Sequence, residues 1–136
     1  MAIENAATGE RIVFLPSDGD VLVFDDLWTR PGHRAPPHVH PEIEERWRIV
    51  EGRAAFRIGA RELTAEPGDE VVAPPGVEHL AWNPTREPVR LRVEMRPALR
   101  WRDFVERLFA LPPGDTGALL ALIREYPREI ALAAPR

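Results

Sequence analysis

Apolar and polar residues alternate with a period of two through most of the first hundred positions, the signature of half-buried β-strands. The clearest case is residues 89–96, where Val89, Leu91, Val93 and Met95 alternate with Arg90, Arg92, Glu94 and Arg96. Residues 11–15 and 20–28 read as two strands around an SDGD turn. Val21 and Val23 alternate there with Leu22 and Phe24, so both faces are apolar and this strand is expected to be covered on both sides. Ala54, Phe56 and Ile58 alternate with Ala55 and Arg57 in a strand that ends at Gly59. Two further short strands, one after Gly59 and one in EVVA, lead to EHLAWN. In that stretch His79, Ala81 and Asn83 share one face, and Leu80 and Trp82 the other. Residues 29–37 hold three prolines and a glycine, which suits a rim or sheet edge, and His33 is expected to be exposed there.

After Pro97 the period changes. Trp101, Phe104, Val105, Leu108 and Phe109 fall at helical spacing on one face. LPPGDT is a turn, Asp115 or Thr116 can cap a second helix through GALLALIREY, and a third helical turn is expected from Pro127. The expected organisation is an all-β sandwich or barrel over residues 1–97 and a helical extension over 98–136 that packs on the barrel or at a dimer interface.

Composition narrows the chemistry. All 18 basic residues are arginine, which excludes a Schiff-base lysine, lysine-anchored pyridoxal phosphate and a P-loop. Cysteine is absent, so there is no thiol nucleophile, disulfide or sulfur-ligated metal. The only serine, Ser17, lies in a turn. A net charge of −4 gives no electrostatic reason to expect nucleic acid. The N-terminus does not resemble a signal peptide, and no apolar run approaches the roughly 20 residues of a membrane span, so a cytoplasmic location is expected.

The candidate chemistry lies in residues 32–52. His38 and His40 share a strand face, so both imidazoles point the same way. Pro41 then interrupts the strand, and the carboxylate has to be chosen among Glu42, Glu44 and Glu45. An inward Glu44 would carry Arg46 and Arg48 inward with it, and unpaired buried arginines are costly. An inward Glu45 carries Trp47 and Ile49 instead, leaving Glu42 and Glu44 solvated or in supporting roles. A further histidine, His79, follows a Pro-Pro-Gly turn. Imidazoles and a carboxylate converging on one point form a metal-binding set.

These residues carry a resemblance to the cupin superfamily. The pattern G-x5-H-x-H-x4-E-x6-G is matched at Gly32, His38, His40, Glu45 and Gly52. G-x5-P-x-G-x2-H-x3-N is matched at Gly68, Pro74, Gly76, His79 and Asn83, with 15 residues between the motifs. The resemblance, to small single-domain bacterial cupins, implies a double-stranded β-helix, or jelly-roll barrel, with His38, His40, Glu45 and His79 as ligands of a divalent ion: Fe, Mn, Ni, Cu or Zn.

It also implies several outcomes for such a site: a dioxygenase-like enzyme on an enolic, phenolic or carboxylate substrate, with Glu45 as ligand and base, or a non-catalytic cupin that binds or senses a small ligand. A regulator's ligand-binding half is disfavoured by the lack of a helix-turn-helix or basic face.

Inward parity makes Trp47, Phe56, Leu91, Val93 and Met95 the expected apolar wall of the substrate pocket, with plain core packing the alternative for Trp47. No inward acid besides Glu45 is evident, which argues against oxalate decarboxylase-type chemistry and against metal-free epimerases with a His-Asp pair. Leu80 and Trp82 face out of the barrel and, with the apolar face of the tail, need cover. A homodimer through the outer sheet face and the tail is the expected assembly.

Overall fold

A computed structural model describes residues 2–33 and 35–133. Its strands are β1 (Ala2–Glu4), β2 (Arg11–Leu15), β3 (Leu22–Trp28), β4 (Gly32–His33), β5 (His38–Val39), β6 (Glu44–Glu51), β7 (Ala54–Ile58), β8 (Arg61–Ala65), β9 (Glu70–Ala73), β10 (His79–Asn83) and β11 (Val89–Arg96). Helices α1 (Trp101–Phe109) and α2 (Thr116–Arg124) follow, and a short strand β12 (Ala131–Leu132) ends the described chain. One sheet runs β1-β2-β3-β11-β6-β9, and the second runs β12-β5-β10-β7-β8 with β4 also on β10. All pairings are antiparallel, so the fold is the expected all-β cupin sandwich with two helices at its C-terminal end.

The core follows strand parity. On β11, Val89, Leu91, Val93 and Met95 are each 0% exposed, while Arg90, Arg92 and Arg96 are exposed. Burial of side chains of this size stabilises by about 1.5–3 kcal/mol each before entropy is counted. On β6 the inward set is Glu45, Trp47 and Ile49, as the argument about arginine burial requires. The β6–β7 turn needs Gly52: its φ is +82°, and an added Cβ would lie 2.5 Å from the Pro88 carbonyl oxygen.

On β3, Leu22, Phe24, Asp26 and Trp28 are buried and the intervening residues half-buried. This strand was expected to be apolar on both faces, yet an acid occupies its inward parity.

The tail folds back over its own barrel. Trp101, Phe104, Val105 and Phe109 of α1 join the barrel's core cluster, together with Leu122 and Ile130. Asp115 caps α2 by accepting from the Ala118 amide at 2.9 Å. Tyr126, 1% exposed, accepts from Arg107 at 3.0 Å and donates to Asp103, which ties α1 to the segment after α2.

The expected third helical turn from Pro127 is a single turn, in which the Ile130 amide donates to the Tyr126 carbonyl at 3.0 Å, and the chain then enters β12, which adds to the edge of β5. The physical reason is pairing: β5 has an open edge that β12 covers, and just before β5 the Pro37 carbonyl accepts from the Ala133 amide at 3.1 Å. Among the described residues no helix is long and apolar enough to cross a membrane.

Candidate metal centre

Four side chains from three places in the sequence meet inside the barrel. His38 lies on β5, His40 just beyond it, Glu45 on β6 of the opposite sheet and His79 on β10. Pairing of β10 with β5 sets His79 opposite His38. The Gly76 amide donates to the His40 carbonyl at 2.9 Å, so the Pro-Pro-Gly turn holds the backbone of the first motif. One possible ligand atom from each residue lies within 4.8 Å of the others, and His40, Glu45 and His79 are buried while His38 is half-buried. The imidazole centroids stand 4.5–4.9 Å apart.

The hydrogen bonds behind the rings fix what each offers. Nδ1 of His38 is 3.0 Å from the Pro36 carbonyl, Nδ1 of His40 is 2.9 Å from the Glu129 carbonyl, and Nδ1 of His79 is 3.2 Å from the Val77 carbonyl. A carbonyl can only accept, so each Nδ1 carries a proton, and in a neutral ring Nε2 is left as a lone pair. Two of those lone pairs lie against a carboxylate: Glu45 Oε1 is 2.8 Å from Nε2 of His40 and 3.4 Å from Nε2 of His79. Nε2 of His79 is buried without a hydrogen-bond partner. Lone pairs and a carboxylate packed this closely repel unless a cation lies among them, so the residues fit a divalent ion. With an ion bound, all four would serve as its ligands.

The electrostatics agree. Burial raises the Glu45 carboxyl, but the adjoining His40 and His79 rings outweigh this and hold it well below the usual carboxylate range. Burial and the neighbouring imidazoles push His38 down to about 3, which keeps it neutral and ready to ligate.

A cavity of about 130 Å³ opens onto this cluster, lined by His38, Glu45 and His79 and walled by Phe24, Trp28, Trp47 and Trp101 among others. Trp47 is thus one wall of this cavity. Phe56, Leu91, Val93 and Met95, expected beside it, are 0% exposed core residues and do not line this cavity. The reason lies in strand order: β11 sits between β3 and β6, whose side chains Phe24, Asp26 and Trp28 on one flank and Glu45 and Trp47 on the other line the cavity, and Phe56 of β7 packs behind Trp47. His33 is exposed and packs edge-on against Trp82, away from the cluster. Glu42 and Glu44 pair outside with Arg128 and Arg46.

Four contributors escaped sequence reasoning. Asp26 and Glu10 line the cavity, so a second inward acid exists. Burial and then Glu10 push Asp26 well above its ordinary value, and Trp28 Nε1 donates to its Oδ2 at 3.1 Å. The signal was available, since Asp26 has the parity of Leu22, Phe24 and Trp28. Trp101 of the tail packs edge-on against His40 at 4.7 Å. The Glu129 carbonyl, 89 residues from His40, left no mark in the side-chain pattern. The tail therefore helps to build the site, where the sequence suggested only packing or dimerisation.

Comparison with known proteins agrees with this architecture. The family model described as "Cupin domain" matches residues 29–95, which include all four clustered residues. No curated protein sequence matches. Among solved structures, an RmlC-like cupin from Shewanella frigidimarina is similar with a TM-score of 0.63 at 19% identity, covering 74% of this chain and 86% of that one. A sugar phosphate isomerase of the cupin superfamily from Silicibacter pomeroyi gives 0.59 at 24% identity, over 67% of this chain and 62% of that one. The cupin domain of Cnp3 from Schizosaccharomyces pombe gives 0.59 at 14% identity, and the chain spans 59% of its length. At these identities the neighbours speak for the fold alone. With both motifs folded onto one buried cluster in a double-sheet barrel, the chain carries a cupin domain over residues 29–95.

Proposed function

We propose that this cupin is a metal-dependent enzyme acting, in the manner of a dioxygenase, on a small enolic, phenolic or carboxylate substrate. The observation that carries the reading is the set of inward imidazole lone pairs facing Glu45 at the end of an aromatic-walled cavity. A bound divalent ion would supply Lewis acidity and, beside four protein ligands, room for a chelating substrate. Glu45 offsets one of its charges, and the remaining positive charge favours an oxyanion.

The protein's own groups do the rest. Trp28, Trp47 and Trp101 exclude water and seat a flat or apolar substrate. Glu45, held as a carboxylate, can take a proton at Oε from an enol or phenol. Asp26, whose burial favours the protonated form, can in that form donate a hydrogen bond to a substrate oxygen. A phosphate-bearing sugar suits the cavity poorly, because no arginine is among the described residues lining it and the chain has no lysine.

The test is oxygen consumption against a panel of enolic and phenolic acids, using protein reloaded separately with Fe, Mn, Ni, Cu or Zn. Uptake with one metal, lost in Glu45→Gln, is the expected result. No uptake with any metal across the panel refutes the dioxygenase reading. Elemental analysis of protein purified without a chelating resin identifies the resident ion.

A further inference from the structure

A second cavity, of about 220 Å³, adjoins the metal cavity on the side of the tail. Its walls include Leu111 from the α1–α2 turn, Leu119 and Ile123 from α2, and Leu132 from β12. The two cavities share Asn5, Ala35, His38, Phe104, Leu108 and Ile130, so they meet at the half-buried imidazole of the candidate ligand His38. The barrel alone does not make this space; the α1–α2 hairpin and β12 do. An apolar cavity of roughly 150 Å³ suffices for a benzene ring.

From this continuity we infer that the tail forms an apolar vestibule for the hydrocarbon end of the substrate, whose metal-chelating oxyanion head sits at His38, His40, Glu45 and His79. The inference rests on the metal-site reading and narrows its substrate class to amphiphiles: an acid or enol carrying an alkyl chain or an aryl ring. A second copy of the chain is disfavoured as the occupant, because the space leads inward to buried ligands instead of spreading over a flat face. Small polar acids would leave the vestibule wet and gain nothing from it.

Linear alkyl hydroxamates, from acetohydroxamate to octanohydroxamate, provide the test. Cobalt-loaded full-length protein reports binding of the chelating head through its visible spectrum. Affinity should rise about three- to fourfold per added methylene until the vestibule is full, the gain expected for burying one such group. Leu119→Glu, which changes a wall of the vestibule alone, should flatten this series while leaving cobalt content and acetohydroxamate binding unchanged. Leu111→Gln serves as a milder second variant if Leu119→Glu lowers the melting temperature.

A series that is already flat in the wild type, with acetohydroxamate still bound, overturns the vestibule and leaves the metal centre standing. Failure of acetohydroxamate to perturb the cobalt spectrum refutes the metal-site reading itself. A flat series in a wild-type dimer that Leu119→Glu converts to monomer assigns the surface to a second copy, and also overturns the inference.

Discussion

The segment after α2 offers the most direct test of how the site is built. The Glu129 carbonyl accepts from His40 Nδ1 at 2.9 Å, and the paired contact of Arg128 with Glu42, 3.0 Å at each oxygen, seats that segment beside the first motif. Two truncations separate these contacts from the strand that follows. Ending the chain at Ile130 removes β12 but keeps the carbonyl; ending it at Pro127 removes both. Loss of a group that orients a ligating histidine costs 10- to 100-fold in metal affinity as a rule, equivalent to about 1.4–2.8 kcal/mol. The Arg128–Glu42 pair is exposed and screened by solvent, so it adds little to stability. Burial of Ile130, 8% exposed, contributes about 1.5–3 kcal/mol. The shorter protein should therefore melt several degrees lower and bind zinc at least tenfold more weakly than the chain ending at Ile130. Competition with a chromogenic chelator at pH 7.5 measures the affinity, and calorimetry the melting. Zinc affinities within twofold of each other, in two folded truncations, would refute the orienting role of the carbonyl.

Alanine at His38, His40 or His79 should each remove most of the bound metal, while His33→Ala leaves it unchanged; equal loss at His33 and His79 by elemental analysis would reject the ligand set. His38 titrates near 6.5 when unfolded and about 3 when folded, so in that window the unfolded chain binds more protons and stability is lost as pH falls. Urea midpoints of metal-free protein between pH 7 and 4 should show this loss at up to about 1.4 kcal/mol per unit, and a His38→Asn variant should be less sensitive to acid. Asp26 has the opposite sign: its folded value is raised, so the folded state binds more protons and stability falls as pH rises above the ordinary aspartate range. Asp26→Asn should lose less stability than wild type between pH 5 and 8 in the same titration, and parallel curves would count against a buried protonated acid. For assembly, a dimer through the outer face of β10 is the proposed form: light scattering should give twice the 15.4 kDa chain mass, with Trp82→Arg shifting it toward monomer at unchanged metal content. A monomeric wild type would refute it.

Local periodicity determined the longer strands but not β1 or β12, the inward parity of β6 and β11, and the two helices of the tail, because side-chain direction in a strand or helix depends only on position along that element. It also brought His38, His40, Glu45 and His79 forward as candidates, since their spacing and the cost of burying Arg46 and Arg48 are both written in the chain. Asp26 was legible by the same parity, but a single acid in an otherwise apolar strand was outweighed by its neighbours.

Tertiary structure decided the rest. Whether Phe56, Leu91, Val93 and Met95 fill the core or line a cavity depends on which strands are neighbours and on what the opposite sheet presents, not on their alternation. The turn of the last segment into β12 depends on the open edge of β5, which no local propensity encodes. The grip of the Glu129 carbonyl on His40 belongs to a backbone group that every residue type carries. Only the closing of the tail over the barrel brings it to the ring, and sets the tautomer that turns His40 Nε2 toward Glu45.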